Sequence, residues 1–238
     1  MNRFIFLFLF WELYSLTFIY SQEKHFPFVA SLELSSKYMW RGIKYGNAPV
    51  AFPMLSYSYK GFNVYAMGAY AFNGSHQEVD LGISYSYRTF CLGISDYYYP
   101  SSVGEKDYYF EFSNRSTGHS VETYFTFTPD KVPLWLTLST YVYGSDKNLS
   151  GNQAFSSYIE LGYTYNFTNN NMLSLALGAN LNKGFYTNYE KGFSVVNITL
   201  KYATNFSFGN FKLPVSVSYI LNPHKEKSFF TFSLYFNS

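Results

Sequence analysis

Residues 77–87, Gln77-Glu78-Val79-Asp80-Leu81-Gly82-Ile83-Ser84-Tyr85-Ser86-Tyr87, decide the fold. Val79, Leu81, Ile83, Tyr85 and Tyr87 share one parity; Glu78, Asp80, Gly82, Ser84 and Ser86 share the other. Successive side chains of an extended strand point to opposite faces, so this stretch predicts a strand with one apolar and one polar face. The same beat runs through Leu134 to Tyr143, through Met172 to Asn182, and through Phe230, Phe232, Leu234 and Phe236 near the end of the chain. Alternating segments of about ten residues are what a tilted strand needs to cross a bilayer.

Working outward from 77–87, twelve strands are expected at 28–41, 49–59, 62–72, 77–87, 90–98, 118–128, 133–143, 155–166, 172–182, 191–203, 211–221 and 228–236. The connections alternate. Lys60-Gly61 and Arg88-Thr89 are minimal hairpins, and 129–132, 167–171 and 204–210 are short turns. Between them fall the more polar connections 42–48, 73–76, 99–117, 144–154, 183–190 and 222–227. This is the pattern of an up-and-down barrel with tight turns at the periplasmic end and longer loops outside. Tyr108 to Phe112 could form a thirteenth strand, but that count breaks the alternation and puts the termini on opposite sides, so 99–117 is read as a loop.

Composition agrees. The 238 residues include 26 Tyr, 26 Phe and 3 Trp, and only 13% are charged, about half the usual fraction of roughly 25%. Disorder requires low hydrophobicity with high net charge, and a net charge of +2 gives no basic field for nucleic acid. After the first twenty or so residues no stretch is long and apolar enough for a spanning helix. A soluble sandwich would alternate too. The barrel is preferred because of an export signal, the alternating loop lengths and aromatic residues near strand ends, where a membrane interface favours rings that are half apolar and half wet. Phe236 near the C-terminus also suits an assembly signal for outer-membrane insertion. The export signal is residues 1–21: Met1-Asn2-Arg3, an apolar run from Phe4 to Tyr20, and Ser21 before the polar Gln22-Glu23. The expected domains are therefore a signal peptide, 1–21, and an outer-membrane barrel, 22–238.

With the apolar parity toward lipid, the opposite parity carries Glu33, Lys37, Arg41, Glu78, Asp80, Glu122, Glu160, Lys201 and Lys212, five acids against four bases. These nine are the candidate lumen-lining residues. Asp96 is the one charge on the lipid-facing parity, at the outer end of its strand. The outer half of the lumen is net acidic, an arrangement that favours cations at the mouth. The alternative is that the charges pair across the lumen and hold the strands in register, since buried ions need partners. Arg41 stands out. At the outer end of the first expected strand, beside Gly42, it could reach Glu78 or Asp80 and lock the mouth through a bidentate pair, or line a constriction.

Tyr38-Met39-Trp40-Arg41-Gly42, Pro49-Val50, Gly61-Phe62, Glu78-Val79-Asp80 and Asp96-Tyr97-Tyr98-Tyr99-Pro100 occur in an order that resembles the TorF-type porin family of uncharacterised bacterial outer-membrane proteins. The resemblance covers residues 30–100 and continues afterwards only as strand rhythm. It implies an outer-membrane barrel with a pore, in a Gram-negative bacterium, and leaves the solute open.

No enzyme is expected. The chain has no GxSxG elbow, phosphate loop or metal-ligand spacing, and no cofactor is implied. His119 and Ser120, near Asp107, suggest a hydrolase pair, but neighbours on a strand point to opposite faces. His76 with Glu78 and Asp80 lacks a second histidine, and the single thiol, Cys91, reads as an inward filler. The expected function is passive or mildly selective passage of small solutes. The alternatives are a closed barrel with a structural or surface-binding role and, less well supported, an outer-membrane hydrolase. The expected partners are outer-membrane lipid, the assembly machinery during insertion and small solutes, with no nucleic acid.

Overall fold

The structure, a computed structural model, describes residues 27–100, 108–168, 170–209 and 211–237. The export-signal reading lies outside these residues. In chain order the strands are β1 (Phe28–Ser35), β2 (Tyr38–Trp40), β3 (Ile43–Tyr45), β4 (Val50–Tyr59), β5 (Phe62–Ala71), β6 (Gln77–Tyr87) and β7 (Phe90–Tyr98). They continue as β8 (His119–Phe127), β9 (Leu134–Gly144), β10 (Ser157–Thr168), β11 (Asn171–Asn180), β12 (Ser194–Phe208), β13 (Phe211–Asn222) and β14 (Lys227–Asn237). All but β2 and β3 form one closed antiparallel barrel of twelve strands. Each wall strand pairs with its neighbours in sequence, and β1 closes the ring on β14 from Ser31↔Asn237 to Ser35↔Ser233.

The two faces separate as the alternation requires. Outward residues include Leu81, Ile83, Tyr85, Leu92, Leu175, Leu200, Phe230 and Phe232, each between 40% and 63% exposed. An exposed apolar band around a closed barrel is stable only where lipid replaces water against it. The inward face is Ser-, Thr- and carboxylate-rich: Ser84, Ser95, Glu122, Thr126, Ser139 and Ser174 are all buried.

Three expectations change. The first strand ends at Ser35, not residue 41, and residues 38–45 form a separate hairpin. β12 runs fifteen residues to Phe208, because Asn205, Phe206, Ser207 and Phe208 keep the alternation and pair with Phe211 to Pro214. The turn expected at 204–210 therefore does not begin until after Phe208. β10 likewise extends to Thr168. Tyr108 to Phe112 forms no strand; the amide of Glu111 donates to the carbonyl of Tyr108 in a turn.

The inner wall also holds aromatic rings on glycine shelves. Tyr65 pairs with Gly82, Tyr124 with Gly93 and Trp135 with Gly162 directly across the ladder. A Cβ at Gly82, Gly93 or Gly162 would lie 2.0–2.2 Å from those rings. Each ring thus lies flat over the neighbouring backbone, which keeps it from filling the lumen. Gly162→Val should displace Trp135 and destabilise the barrel by about 1–3 kcal/mol, as overpacking does. Gly192→Val, where nothing lies within 4 Å of the added Cβ, should stay within about 0.5 kcal/mol of wild type. Urea unfolding of the refolded barrel, followed by circular dichroism, distinguishes the two.

Candidate functional site

The candidate functional centre is the lumen and the hairpin that crosses it. After Ser35 the chain keeps one more contact with the wall: Ser36 N donates to Phe232 O at 2.8 Å, and Phe232 N donates to Ser36 Oγ at 3.0 Å. It then turns inward. β2 and β3 pair Tyr38↔Tyr45, Met39↔Lys44 and Trp40↔Ile43, leaving Arg41 and Gly42 at the tip with φ of 49° and 77°. Positive φ at both central residues is the type I′ hairpin geometry, for which Gly at the second position is favoured. Gly42 is required for space as well. A Cβ there would lie 2.0 Å from the carbonyl oxygen of Val196 on β12. Asn222 of β13 donates its Nδ2 to Gly42 O at 3.1 Å. The base of the hairpin packs on the near wall, where Tyr38 joins Phe52, Met54, Tyr65 and Met67 in one cluster.

Arg41 ties the tip to the far wall. Its Nη1 and Nη2 donate to Oε1 and Oε2 of Glu122 on β8 at 2.6 and 3.0 Å, a bidentate pair. Nη1 also donates to Tyr186 Oη. The guanidinium lies 4.3 Å from the Trp40 ring centroid and 4.7 Å from that of Tyr158. Burial alone would pull the Arg41 guanidinium down, but Glu122, with Tyr186 behind it, holds its pKa above the usual arginine range. The expectation of Glu78 or Asp80 as its partner is corrected here. Because Arg41 sits on an inward hairpin and not at a strand end, it reaches past β6 to β8.

The hairpin caps a cavity of about 200 Å³. Of the sequence-derived candidates, Glu33, Lys37, Arg41, Asp80, Glu122, Glu160 and Lys201 line it. Glu160 accepts from Tyr158 Oη and from Asn197 Nδ2 at 2.8 Å. Lys201 Nζ donates to Tyr235 Oη at 3.2 Å, and Tyr235 is the register partner of Glu33. Lys37 does not belong to a wall strand; its Nζ donates to Phe230 O at 3.2 Å. Glu78 is buried but stands behind the hairpin, 3.0 Å from His76 Nε2. Lys212 is exposed at the short-turn end of β13 and does not reach the cavity. Sequence reasoning missed Trp40, Tyr97, Tyr186, Asn197 and Asn222, which hold or surround the hairpin. The Arg41-Gly42 pair between apolar residues was the signal for a two-residue turn.

His119 and Ser120 do not meet as a hydrolase pair. Ser120 faces inward with its Oγ 2.6 Å from Ser145 Oγ. His119 faces outward, its Nδ1 2.8 Å from Asp96 Oδ2 and its Nε2 2.7 Å from the carbonyl of Tyr109. Both ring nitrogens face acceptors, so neither is placed to take a proton from a serine. The loop that carries Tyr109 and Phe112 covers His119, and Asp96, the one charge expected on the lipid-facing parity, gains its partner there. Cys91 is buried and free. Among the described residues, no group of three or more His, Cys, Asp or Glu could hold a metal.

No protein-family model matches the chain, and no curated protein matches it. Solved structures do. A membrane protein studied for its in-meso crystallization is 12% identical with a TM-score of 0.51, covering 89% of this chain and 83% of its own. The NanC porin is 10% identical at TM-score 0.48, covering 88% and 98%. An outer-membrane channel from Pseudomonas putida F1 is 13% identical at TM-score 0.44, covering 88% and 94%. At such identities the likeness is one of fold.

Removing one member of the Arg41–Glu122 pair leaves the other buried without its partner, which costs about 3–5 kcal/mol. Arg41→Met and Glu122→Gln should each destabilise the barrel. The double variant should recover part of the loss, giving a coupling energy above about 1 kcal/mol in a double-mutant cycle. Strict additivity would contradict the pair's role.

Proposed function

We propose that the chain is a porin-like barrel of the bacterial outer membrane that gives small solutes a restricted, passive or mildly selective route. The observation that carries this reading is a cavity with carboxylates, serines and threonines in its lining, inside a closed wall with an apolar outer band. Side chains can fill the interior of an eight-stranded barrel, whereas in this twelve-stranded wall Tyr65, Tyr124 and Trp135 lie flat on glycines and a cavity of about 200 Å³ persists. The short turns, with the start of β1 and the end of β14 beside them, then belong to the periplasmic side, and the long loops face outward. The TorF-type resemblance of residues 30–100 points the same way, and outer-membrane lipid and the assembly machinery are the partners this reading requires. The lumen-side candidates that meet the cavity, Asp80 and Glu122 among them, would set its selectivity.

A closed barrel with a structural or surface-binding role is the second reading, and the hairpin across the lumen favours it. Planar-bilayer recording distinguishes them. The wild-type barrel should give small unitary currents, and Arg41→Ala, which unties the hairpin tip, should raise them several-fold. Silence from both proteins would establish the closed barrel. In a salt gradient the reversal potential should show cation preference; an anion preference would sink the acidic-mouth expectation.

A further inference from the structure

We infer that the lumen holds a binding site for a small primary ammonium ion, centred on Asp80. This goes beyond the channel reading, because the site can be occupied whether or not the barrel conducts.

Asp80 lies on β6, is 1% exposed and lines the cavity, and its Oδ1 has no hydrogen-bond partner. The basic groups around it are engaged elsewhere. Arg41 is held by Glu122, His76 by Glu78, and Lys201 reaches Tyr235. Among the described residues no basic side chain lies within 4 Å of the Asp80 carboxylate. Its neighbour two residues back on the same face is another acid, Glu78, also buried and within hydrogen-bonding reach of the Asp80 carboxyl, which leaves Oδ1 as the unpartnered oxygen. A carboxylate so placed needs an opposite charge and a donor from outside the chain, or a proton.

The surroundings select the kind of cation. Directly across the ladder from Asp80 stand Met67 on β5 and Tyr97 on β7. Tyr65 lies over Gly82, the next inward position on β6, and Tyr38 enters from the hairpin. All of these line the same cavity. The phenol groups of Tyr65 and Tyr97 are already committed: Tyr65 Oη donates to Ser95 Oγ at 2.9 Å and Tyr97 Oη to Glu122 Oε2 at 3.1 Å. What these two tyrosines leave to a ligand is therefore ring surface. Ring faces and a thioether beside one carboxylate suit an ammonium group on a short alkyl body, whose N–H donates to Oδ1 while its carbons meet the rings. A hard divalent ion would need six to eight oxygens, or a near-octahedral set, and the described residues provide no such cluster.

The test is isothermal titration of the full-length barrel, refolded in detergent, with ethylammonium chloride in a buffer of constant ionic strength. Ethanol serves as the neutral analogue. Wild type should give a saturable heat with ethylammonium and none with ethanol, a comparison that stands without any variant. Asp80→Asn should bind at least tenfold more weakly. Glu33→Gln, which alters the other cavity carboxylate with an unpartnered oxygen, should bind as wild type does. Each variant is first checked for the wild-type β-sheet circular dichroism. The proposal is overturned by the absence of saturable heat in wild type. It is equally overturned by Asp80→Asn binding as wild type does, the result expected if Glu78 and Asp80 share a proton, or by loss of binding in Glu33→Gln.

Discussion

A chain that crosses a bilayer as strands must satisfy every backbone N–H and C=O within itself, because the hydrocarbon core offers no partner. The rest of this molecule follows from that constraint. The ring has to close, so β1 meets β14. Every wall strand then has one face against lipid and one against the lumen, and the chain alternates accordingly. The closing seam is the shortest ladder of the barrel wall, with five register pairs between β1 and β14 against eleven between β12 and β13. The chain supplements it at the point of departure. Ser36 makes two bonds to Phe232, and Lys37 Nζ takes the carbonyl of Phe230 that β1 has left without a strand beside it.

Much of the wall was legible because its signal is local. β6 and β7 coincide with the segments read from alternation alone, since each needs only its own residues to declare two faces. The inward hairpin was not legible in that way. Tyr38 and Trp40 continue the parity of a strand, and a strand-like hairpin inside the barrel has the same period as one in the wall. Only the long-range partners distinguish them. Arg41 and Glu122 are 81 residues apart, and nothing near either names the other. The same holds for Asp96 and His119, whose pairing depends on a loop folding back over the outer face. The aromatic content was assigned to the lipid side and strand ends. Tyr65, Tyr97, Tyr124, Trp135 and Tyr158 show a second use, lining the cavity.

The hairpin joins opposite requirements at one point. Its tip must be sterically minimal to touch the backbone of β12, and electrically strong enough to hold in a polar lumen. Gly42 meets the first requirement and Arg41 the second, in adjacent positions of one turn. Truncating the arginine would leave the turn intact and remove its anchor; enlarging the glycine would force the turn off the wall. The surrounding rings of Trp40, Tyr97, Tyr141 and Tyr186 exclude water from the ion pair, which strengthens it.

The placement of the hairpin in the chain has a consequence for the order of assembly. It lies between the first two wall strands, yet it docks on Glu122, Val196 and Asn222. The last of these contacts joins residues 180 positions apart. None of these docking surfaces exists until strands β8 to β13 stand in the wall, so the segment emerges early and settles late. Throughout insertion its aromatic and basic side chains must wait without a partner, and the barrel matures from the outside in.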